Sequence, residues 1–271
     1  MAKKVDTYDS ESIKVLKGLE PVRLRPGMYI GSTGRTGLNH LVQEIIDNAV
    51  DEHLAGYCKN IYVSLNEDGS ATVEDDGRGI PVDLHPTEKK SAERVVFTVL
   101  HSGGKFNDSV YKISGGLHGV GSAVVNALSR RLIVDVYRDG NVYHDTYEYG
   151  KPRTKLIDGL LPSEPAVPAK KTGTRVTLYP DDTIFETVKF KSSAIRQRIK
   201  ETSYLNPDLT ITFENKRDGY PPEVFHEPGG LSAFVEDISR DLTKTSPVVS
   251  IKGEKNGIEA DIVFVCTEDG D

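Results

Sequence analysis

The stretch from Gly37 to Gly56, GLNHLVQEIIDNAVDEHLAG, constrains the fold most, because its pattern predicts one long amphipathic helix. Apolar side chains recur at helical spacing, with Leu41, Ile45 and Ala49 four residues apart. A glycine just beyond the last apolar position is a common helix end, which places the C-terminus near Gly56. The stretch is therefore expected to bury a broad apolar band.

The polar side of this helix carries residue types that suit catalysis and metal binding. Glu44, Asn48, Asp51 and Glu52 stand at i, i+4, i+7 and i+8, so they share one face. A carboxylate and an amide one turn apart, with apolar neighbours on both sides, suit a base that orients water and an oxygen ligand for Mg²⁺. The alternative is a solvated helix face without a ligand. The rest of the chain decides between the two.

Composition narrows the class of protein. The 271 residues have 37% hydrophobic and 28% charged side chains, which is ordinary for a soluble globular protein, and we expect a cytoplasmic location. No apolar run reaches the roughly 20 residues of a membrane span, and the start has no signal core. Cys58 and Cys266 are too far apart in sequence for a metal-binding pair. The formal net charge of −7 argues against a chain that grips nucleic acid over much of its own surface.

The order of elements predicts an α+β fold, a two-layer sandwich with helices on one face of a mixed, mostly antiparallel sheet. Turn chemistry places hairpins at Asp68-Gly69 and Asp139-Gly140, and a short early helix breaks at Pro26-Gly27. From about Tyr220 the sequence PPEVFHEPGG reads as a linker. The other predicted elements are helices at 92–100, 120–129, 189–204 and 231–242 and strands at 173–180, 209–215, 248–253 and 258–266.

Three further motifs accompany the long helix. EDDGRGIP, from Glu74 to Pro81, puts Asp75 at a strand end before glycines, where a carboxylate can accept the amino group of a purine. GGLHGVG, from Gly115 to Gly121, opens a helix, and glycines there let backbone N–H groups surround phosphate. Thr172-Gly173-Thr174 begins a strand, where a hydroxyl can meet the same purine edge. Taken singly, these read equally as an Asp-Gly turn, a flexible lid and an ordinary strand start.

In this order, the four stretches resemble the ATP-binding motifs of the GHKL ATPases. The longer text YDSESIKVLKGLEPVRLRPGMYIGS, EIIDNAVDEHLAG, EDDGRGIPVDLHP, YKISGGLHGVGSAVVNALS and TGTRV resembles the ATPase subunits of bacterial type II topoisomerases. The resemblance begins near Tyr8 and implies the Bergerat-type fold, ATP and Mg²⁺ as cofactors, and ATP hydrolysis coupled to DNA topology. The gyrase branch of this family is expected; topoisomerase IV is the alternative, and a nucleotide-gated clamp of the MutL kind is a more distant one.

The resemblance also implies residue roles. Glu44 would be the catalytic base, His40 would help to orient the water that it activates, and Asn48 would bind Mg²⁺. Asp75 would bind the adenine amino group, partly through a water that Thr174 touches. The residues implied to surround the nucleotide are Tyr8, Asn48, Glu52, Asp75, Arg78, Gly79, Ile80, Pro81, Gly103, Lys105, Gly116, Leu117, His118, Gly119, Val120, Gly121, Ser122, Arg138 and Thr174.

Partners follow from the same resemblance. Residues 1–15 would be an arm that crosses to a second copy of the subunit, residues 16–220 the GHKL ATP-binding domain, and residues 221–271 the incomplete beginning of a transducer domain. In the family that domain supplies a Gln-Thr-Lys loop, which this sequence lacks. We therefore expect this chain alone to turn over ATP weakly or not at all. The other implied partners are a DNA-cleaving subunit of the gyrase A type, DNA through the full complex, and aminocoumarin inhibitors at the ATP site, with no membrane contact.

Two positions depart from the family motifs. Ser102 stands where alanine is expected before GGKF, and His53 stands where alanine is expected in DEALAG. Neither position has a role in the implied site, and the sequence offers no reason for either change.

Overall fold

The computed structural model describes residues 16–102 and 119–268. The helices are α1 (Glu20–Leu24), α2 (Gly27–Ile30), α3 (Arg35–Leu54), α4 (Ala92–Thr98), α5 (Gly121–Ala127), α6 (Ser192–Leu205) and α7 (Gly230–Ile238). The strands are β1 (Asn60–Leu65), β2 (Ala71–Asp75), β3 (Ser129–Arg138), β4 (Asn141–Glu148), β5 (Lys151–Pro152), β6 (Ser163–Pro165), β7 (Gly173–Pro180), β8 (Thr210–Asn215), β9 (Glu223–Phe225), β10 (Val249–Lys255) and β11 (Ile258–Phe264).

Nine of these strands form one sheet, in the order β5-β4-β3-β7-β2-β1-β8-β9 with β6 also paired to β4. Neighbouring strands run antiparallel except β1 and β8, which are parallel because α6 carries the chain back across the sheet. The predicted α+β class and the mixed, mostly antiparallel sheet are confirmed. Both predicted hairpins form, β1–β2 and β3–β4, with their turns at the expected Asp-Gly pairs.

Helix α3 lies against the middle of the sheet and its apolar band is buried as predicted. Leu38, Leu41 and Val42 have no exposed surface, and Ile45 and Ile46 are almost as enclosed. Strands β3 and β7 alternate buried residues with partly exposed ones, so one face of the sheet holds the core. Burying a side chain of this size contributes about 1.5–3 kcal/mol, which makes the helix–sheet layer the main source of stability.

A buried polar cluster joins α4 to β4. Arg94 donates to both carboxylate oxygens of Asp145, from Nε and Nη2, at 2.8 Å each, and Nη2 also donates to the Thr154 carbonyl at 2.8 Å. The Tyr147 hydroxyl lies 2.8 Å from Asp145 Oδ2 and 3.0 Å from Glu93 Oε1. Glu93, Asp145 and Tyr147 have no exposed surface. The cluster fixes α4, the helix that leads towards residues 103–118.

Two local predictions need correction. The chain does not stay irregular after Pro26-Gly27, since α2 begins at Gly27 and places Pro26 just before its first turn, where a missing N–H costs nothing. The stretch read as a linker contains β9, which pairs with β8 and extends the main sheet past Tyr220. The division at 220/221 itself remains a prediction.

After β9 the chain packs back onto α6. The rings of Tyr204 on α6 and Phe234 on α7 stack with centroids 5.1 Å apart, and Lys200 pairs with Asp237. Helix α7 ends at Ile238, four residues before the predicted end. Strands β10 and β11 form a separate two-stranded antiparallel sheet, close to their predicted bounds.

Candidate nucleotide site

The exposed side of α3 carries a paired histidine and carboxylate. His40 Nε2 lies 3.0 Å from Glu44 Oε1, one helical turn away. The hydrogen bond to Glu44, followed by the negative charges of Glu44 and Asp47, raises the pKa of His40 against the opposing effect of burial. The imidazole therefore tends towards its protonated form and holds the Glu44 carboxylate in one orientation.

The start of α5 meets α3 at this pair. Asn48 Nδ2 donates to Ser122 Oγ at 3.1 Å, which fixes the orientation of the amide. A Cβ built on Gly121 would lie 2.0 Å from Glu44 Oε2. A side chain at position 121 would have to displace the Glu44 carboxylate, so glycine lets the helix begin beside it, and Glu44 and Asn48 both lie against the N-terminal end of α5.

Asp75 lies at the end of β2, at the other side of the site. Its Oδ1 accepts a hydrogen bond from the Gly77 N–H at 2.8 Å. Burial, with a further contribution from the negative charge of Glu52, raises the pKa of Asp75 to about 7, although the Gly77 hydrogen bond opposes it. A carboxylate removed from water accepts strongly from any donor that a ligand brings.

Arg78 links this turn back to α3. Its Nε and Nη2 donate to the two carboxylate oxygens of Glu52 at 3.1 and 2.8 Å, a bidentate pair. The guanidinium also lies 3.8 Å from the centroid of the Tyr57 ring. The Glu52–Arg78 pair therefore joins the turn to α3, and Tyr57 extends it.

Gly79, Ile80 and Thr174 form the next part of the wall. Gly79 has φ of +77°, and a Cβ there would meet the Tyr137 carbonyl at 2.8 Å, so two requirements favour glycine. Arg138 Nη1 donates to the Gly79 carbonyl at 2.9 Å, and the Ile80 N–H donates to Thr174 Oγ1 at 3.2 Å. Thr174 is thus brought against the turn that follows Asp75.

The remaining predicted site residues differ in location and exposure. Gly119 and Val120 immediately precede α5, and Pro81 is exposed beside Ile80. Asp51, predicted to share the polar face of α3, is buried instead, whereas Glu44, Asn48 and Glu52 are half-buried. The predicted residues that lie outside the described part of the chain are Tyr8, Gly103, Lys105, Gly116, Leu117 and His118.

Sequence reasoning missed three contributions. Tyr57 follows the helix-ending Gly56, and an aromatic ring at that point was the only available signal. His53 Nδ1 lies 2.8 Å from the Cys58 carbonyl, which holds the chain after α3. Ser102 Oγ lies 2.6 Å from the Val99 carbonyl and 3.0 Å from that of Val95, so it satisfies acceptors at the end of α4. These contacts explain the two departures from the family motifs.

The family model for the histidine kinase-, DNA gyrase B- and HSP90-like ATPases matches residues 33–184. That range covers more than half of the chain and contains α3, the Asp75 turn, the start of α5 and Thr174. The chain belongs to this ATPase family. ATP binding, predicted from the motifs, is a property of the family as a whole.

Individual relatives within the family are close in sequence. The chain is 51% identical to the B-type subunit of DNA gyrase from Thermotoga maritima over 266 residues, which is 96% of this chain and 41% of that protein. It is 47% identical to the B-type subunit of DNA topoisomerase 4 from Staphylococcus aureus over 264 residues, 96% of this chain and 39% of that protein. The chain thus spans about two fifths of the length of these relatives.

A solved structure shares the fold. The 43K ATPase domain of Thermus thermophilus gyrase B, in complex with an aminocoumarin, aligns with a TM-score of 0.78 at 42% identity, over 92% of this chain and 62% of that one. The likeness confirms the two-layer α+β architecture predicted from the sequence.

Metal ligands and membrane spans can be assessed for residues 16–102 and 119–268. No group of three or more His, Cys, Asp or Glu side chains there is arranged to hold a metal ion. Mg²⁺ with a nucleotide needs only one or two protein oxygens, because the phosphates and water supply the rest, so the single amide of Asn48 fits such a role. In the same residues, no helix is long and apolar enough to cross a membrane.

Proposed function

We propose that this chain is the ATP-binding unit of a bacterial type II DNA topoisomerase of the gyrase B kind. The single observation that carries the proposal is the His40–Glu44 pair set against Gly121, with a desolvated Asp75 whose turn meets the same helix at Glu52, about two helical turns further on. A base and an acceptor for a purine placed in this way fit hydrolysis of a purine triphosphate.

Each of these residues then has a role in ATP binding or hydrolysis. Glu44 accepts a proton from the attacking water while His40 keeps its carboxylate aligned. Asp75 accepts the adenine amino group and Thr174 supports the same edge. Asn48 offers its amide oxygen to Mg²⁺, which when bound neutralises charge on the phosphates. The N-terminal end of α5, with Gly119 to Ser122, receives the phosphates through its N–H groups.

The outer part of the pocket has its own function in this proposal. Arg78, held by Glu52 and Tyr57, stands beside Ile80 and Pro81 and would flank a bound base. Arg138 is tied to the Gly79 carbonyl and forms the rim. The structural relative is bound to an aminocoumarin, and we extend aminocoumarin binding at this edge to the present chain.

In the larger assembly, ATP binding would close a dimer of two such subunits through the N-terminal arms and drive DNA supercoiling with a DNA-cleaving partner subunit, in the cytoplasm. The identity of 51% to a gyrase subunit favours negative supercoiling, and 47% to a topoisomerase IV subunit supports decatenation as the second candidate. A plasmid assay on the reconstituted enzyme separates them: negative supercoils support gyrase, whereas decatenation with relaxation alone supports topoisomerase IV.

The catalytic assignment is tested by Glu44→Ala. A base acts mainly in the transition state, so ATP affinity should stay within a few-fold while turnover in the full-length subunit falls by roughly 10²–10⁴. Glu67→Ala, an exposed carboxylate in the β1–β2 turn, is the matched control and should keep full turnover. If the Glu44→Ala protein kept more than half of the wild-type phosphate release, the base would have to be another residue.

A further inference from the structure

A large cavity lies at the opposite end of α5 from Gly121. Arg23 Nη1 reaches this end of the helix and donates to the Ala127 carbonyl at 2.6 Å. The cavity has a volume of about 1000 Å³, at the upper end of the range for small-molecule sites. Its walls come from α1, α4 and the turn after β4, and no residue of the nucleotide site lines it.

The lining is strongly cationic. Five basic side chains face the cavity and one carboxylate, Glu20, does so, although the chain as a whole has 41 acidic against 34 basic residues. The basic residues are Lys17, Arg23, Lys90, Arg94 and Lys151. A net-acidic chain that gathers cations in one concavity creates a local positive potential that attracts anions.

The two arginines are fixed in place by buried carboxylates. Arg94 is paired with Asp145, and Arg23 Nη2 lies 2.6 Å from Asp181 Oδ2; neither aspartate has any exposed surface. These pairs neutralise the guanidinium charges but hold the groups rigidly at the wall. The arginines therefore supply a preorganised floor rather than net charge.

The lysines supply the net charge. Lys17 and Lys151 are exposed and form no ion pair within residues 16–102 and 119–268. Lys90 is held 3.3 Å from Thr98 Oγ1 and 3.6 Å from a Glu88 carboxylate oxygen. Three ammonium groups thus surround one space, in which the only carboxylate from the described part of the chain is that of Glu20.

We propose that this cavity binds a compact anion with two or more phosphoryl groups. The flexible ammonium groups of Lys17 and Lys151, together with the Lys90 ammonium held at the wall, act as point charges that can close around the adjacent negative charges of a diphosphate. The arginine floor adds N–H groups in a fixed plane. Binding here is independent of the proposed ATP hydrolysis, since the two sites have no residue in common.

The test is calorimetric titration of sodium pyrophosphate into the whole protein and into Lys17→Gln/Lys151→Gln. Each lysine lost removes a charge-assisted contact, so the double variant should bind at least about tenfold more weakly. Lys189→Gln/Lys244→Gln removes two exposed lysines that do not line the cavity and should bind within about twofold of wild type. Equal affinity of the cavity variant and wild type, or no wild-type binding at millimolar pyrophosphate, overturns the proposal.

Two further measurements place the anion and define its chemistry. Pyrophosphate should shift the amide resonances of Thr98, Gly150 and Leu156 in the wild-type protein; shifts confined to residues 119–122 would mean that it binds only at the nucleotide site and would overturn the proposal. Orthophosphate, which carries a single phosphoryl group, should bind at least about tenfold more weakly than pyrophosphate, because it offers fewer charge-assisted contacts to the lysines. Equal binding of orthophosphate overturns the assignment to an anion with two or more phosphoryl groups.

Discussion

Asp75 and Glu93 are two desolvated carboxyl groups with different surroundings. Burial raises the pKa of Asp75 to about 7, and burial together with the charge of Asp145 raises the pKa of Glu93 well above its usual value. Glu93 sits in a closed cluster with Tyr147, Asp145 and Arg94. Asp75 accepts from the backbone N–H groups of Gly77 and Thr174 at the end of β2, and no side-chain donor among the described residues is paired with it.

The hydrogen bonds of the closed cluster determine which group carries each proton. The Tyr147 hydroxyl has one proton but lies within hydrogen-bond distance of carboxyl oxygens on both Glu93 and Asp145. It donates to Asp145, whose carboxylate is paired with Arg94, and because the pKa of Glu93 is raised well above its usual value by burial, the proton between Tyr147 and Glu93 belongs to Glu93. The cluster is neutral overall, with every group paired.

The surroundings of the two carboxyl groups distinguish a structural role from a role in ligand binding. A desolvated carboxyl whose acceptor atoms are all used within the protein stabilises the fold, and one with acceptor capacity left is a candidate ligand site. A raised pKa alone would not distinguish Glu93 from Asp75. Three experiments can break or sharpen this comparison.

The largest effect is expected at Glu93. Glu93→Ala leaves the Tyr147 hydroxyl without its donor and opens a void, which should lower the free energy of unfolding by about 2–4 kcal/mol. Glu93→Gln replaces the acid proton with an amide N–H and should cost less than about 1 kcal/mol. Urea unfolding measures both, with Glu88→Ala as an exposed control near zero. If Gln cost as much as Ala, Glu93 would be ionised and the proton count wrong.

Removal of the Asp75 carboxylate should lower the affinity for ATP rather than the stability of the fold. Asp75→Ala removes a charge-assisted hydrogen bond to the adenine amino group, which is worth roughly 1.5–3 kcal/mol, or about ten- to a hundredfold in ATP affinity. Asp83→Ala, an exposed carboxylate further along the same loop, should bind ATP normally. Calorimetry with ATP and GTP checks the assignment, because GTP presents a carbonyl at that position. Equal affinities for the two nucleotides would mean that Asp75 does not bind the purine amino group.

The smallest effect is a pH dependence. The folded pKa of Asp75 is above that of an unfolded chain, so its contribution to stability is present below about pH 4 and is lost as pH rises towards 7. Ligand binding follows the opposite direction, because adenine needs the ionised carboxylate. ADP affinity should therefore rise by up to about tenfold between about pH 6 and pH 8. Asp75→Asn should remove most of this slope; an unchanged slope would assign it to another group.

The sequence predicted the elements that follow from local periodicity and turn chemistry. The α3 helix and both Asp-Gly hairpins were foreseen because their signals lie within a few residues of each other. The family motifs then indicated which polar residues of α3 mattered. Two long-range contacts outside those motifs were not predicted. Nothing near Tyr57 in the sequence indicates Arg78, and nothing near Glu93 indicates Tyr147, because these pairs depend on how the elements pack.

Short strands at sheet edges were also missed. β9 has three residues between prolines and a histidine, and its strand character comes from the free edge of β8 rather than from its own composition. The burial of Asp51 was not predicted either. Helical spacing predicts the direction of a side chain from the helix axis but not which other elements pack over it.

The attachment of β9 and α7 to the main body has a mechanical consequence. Because β9 is hydrogen-bonded into the sheet and Phe234 stacks on Tyr204, the chain up to Ile238 moves as part of the nucleotide-binding body. A hinge therefore cannot sit at Tyr220, where the sequence suggested a linker. Any bend between the main sheet and the β10–β11 ribbon lies after Ile238, and α7 links that point to α6, which in turn contacts the helix that bears Glu44.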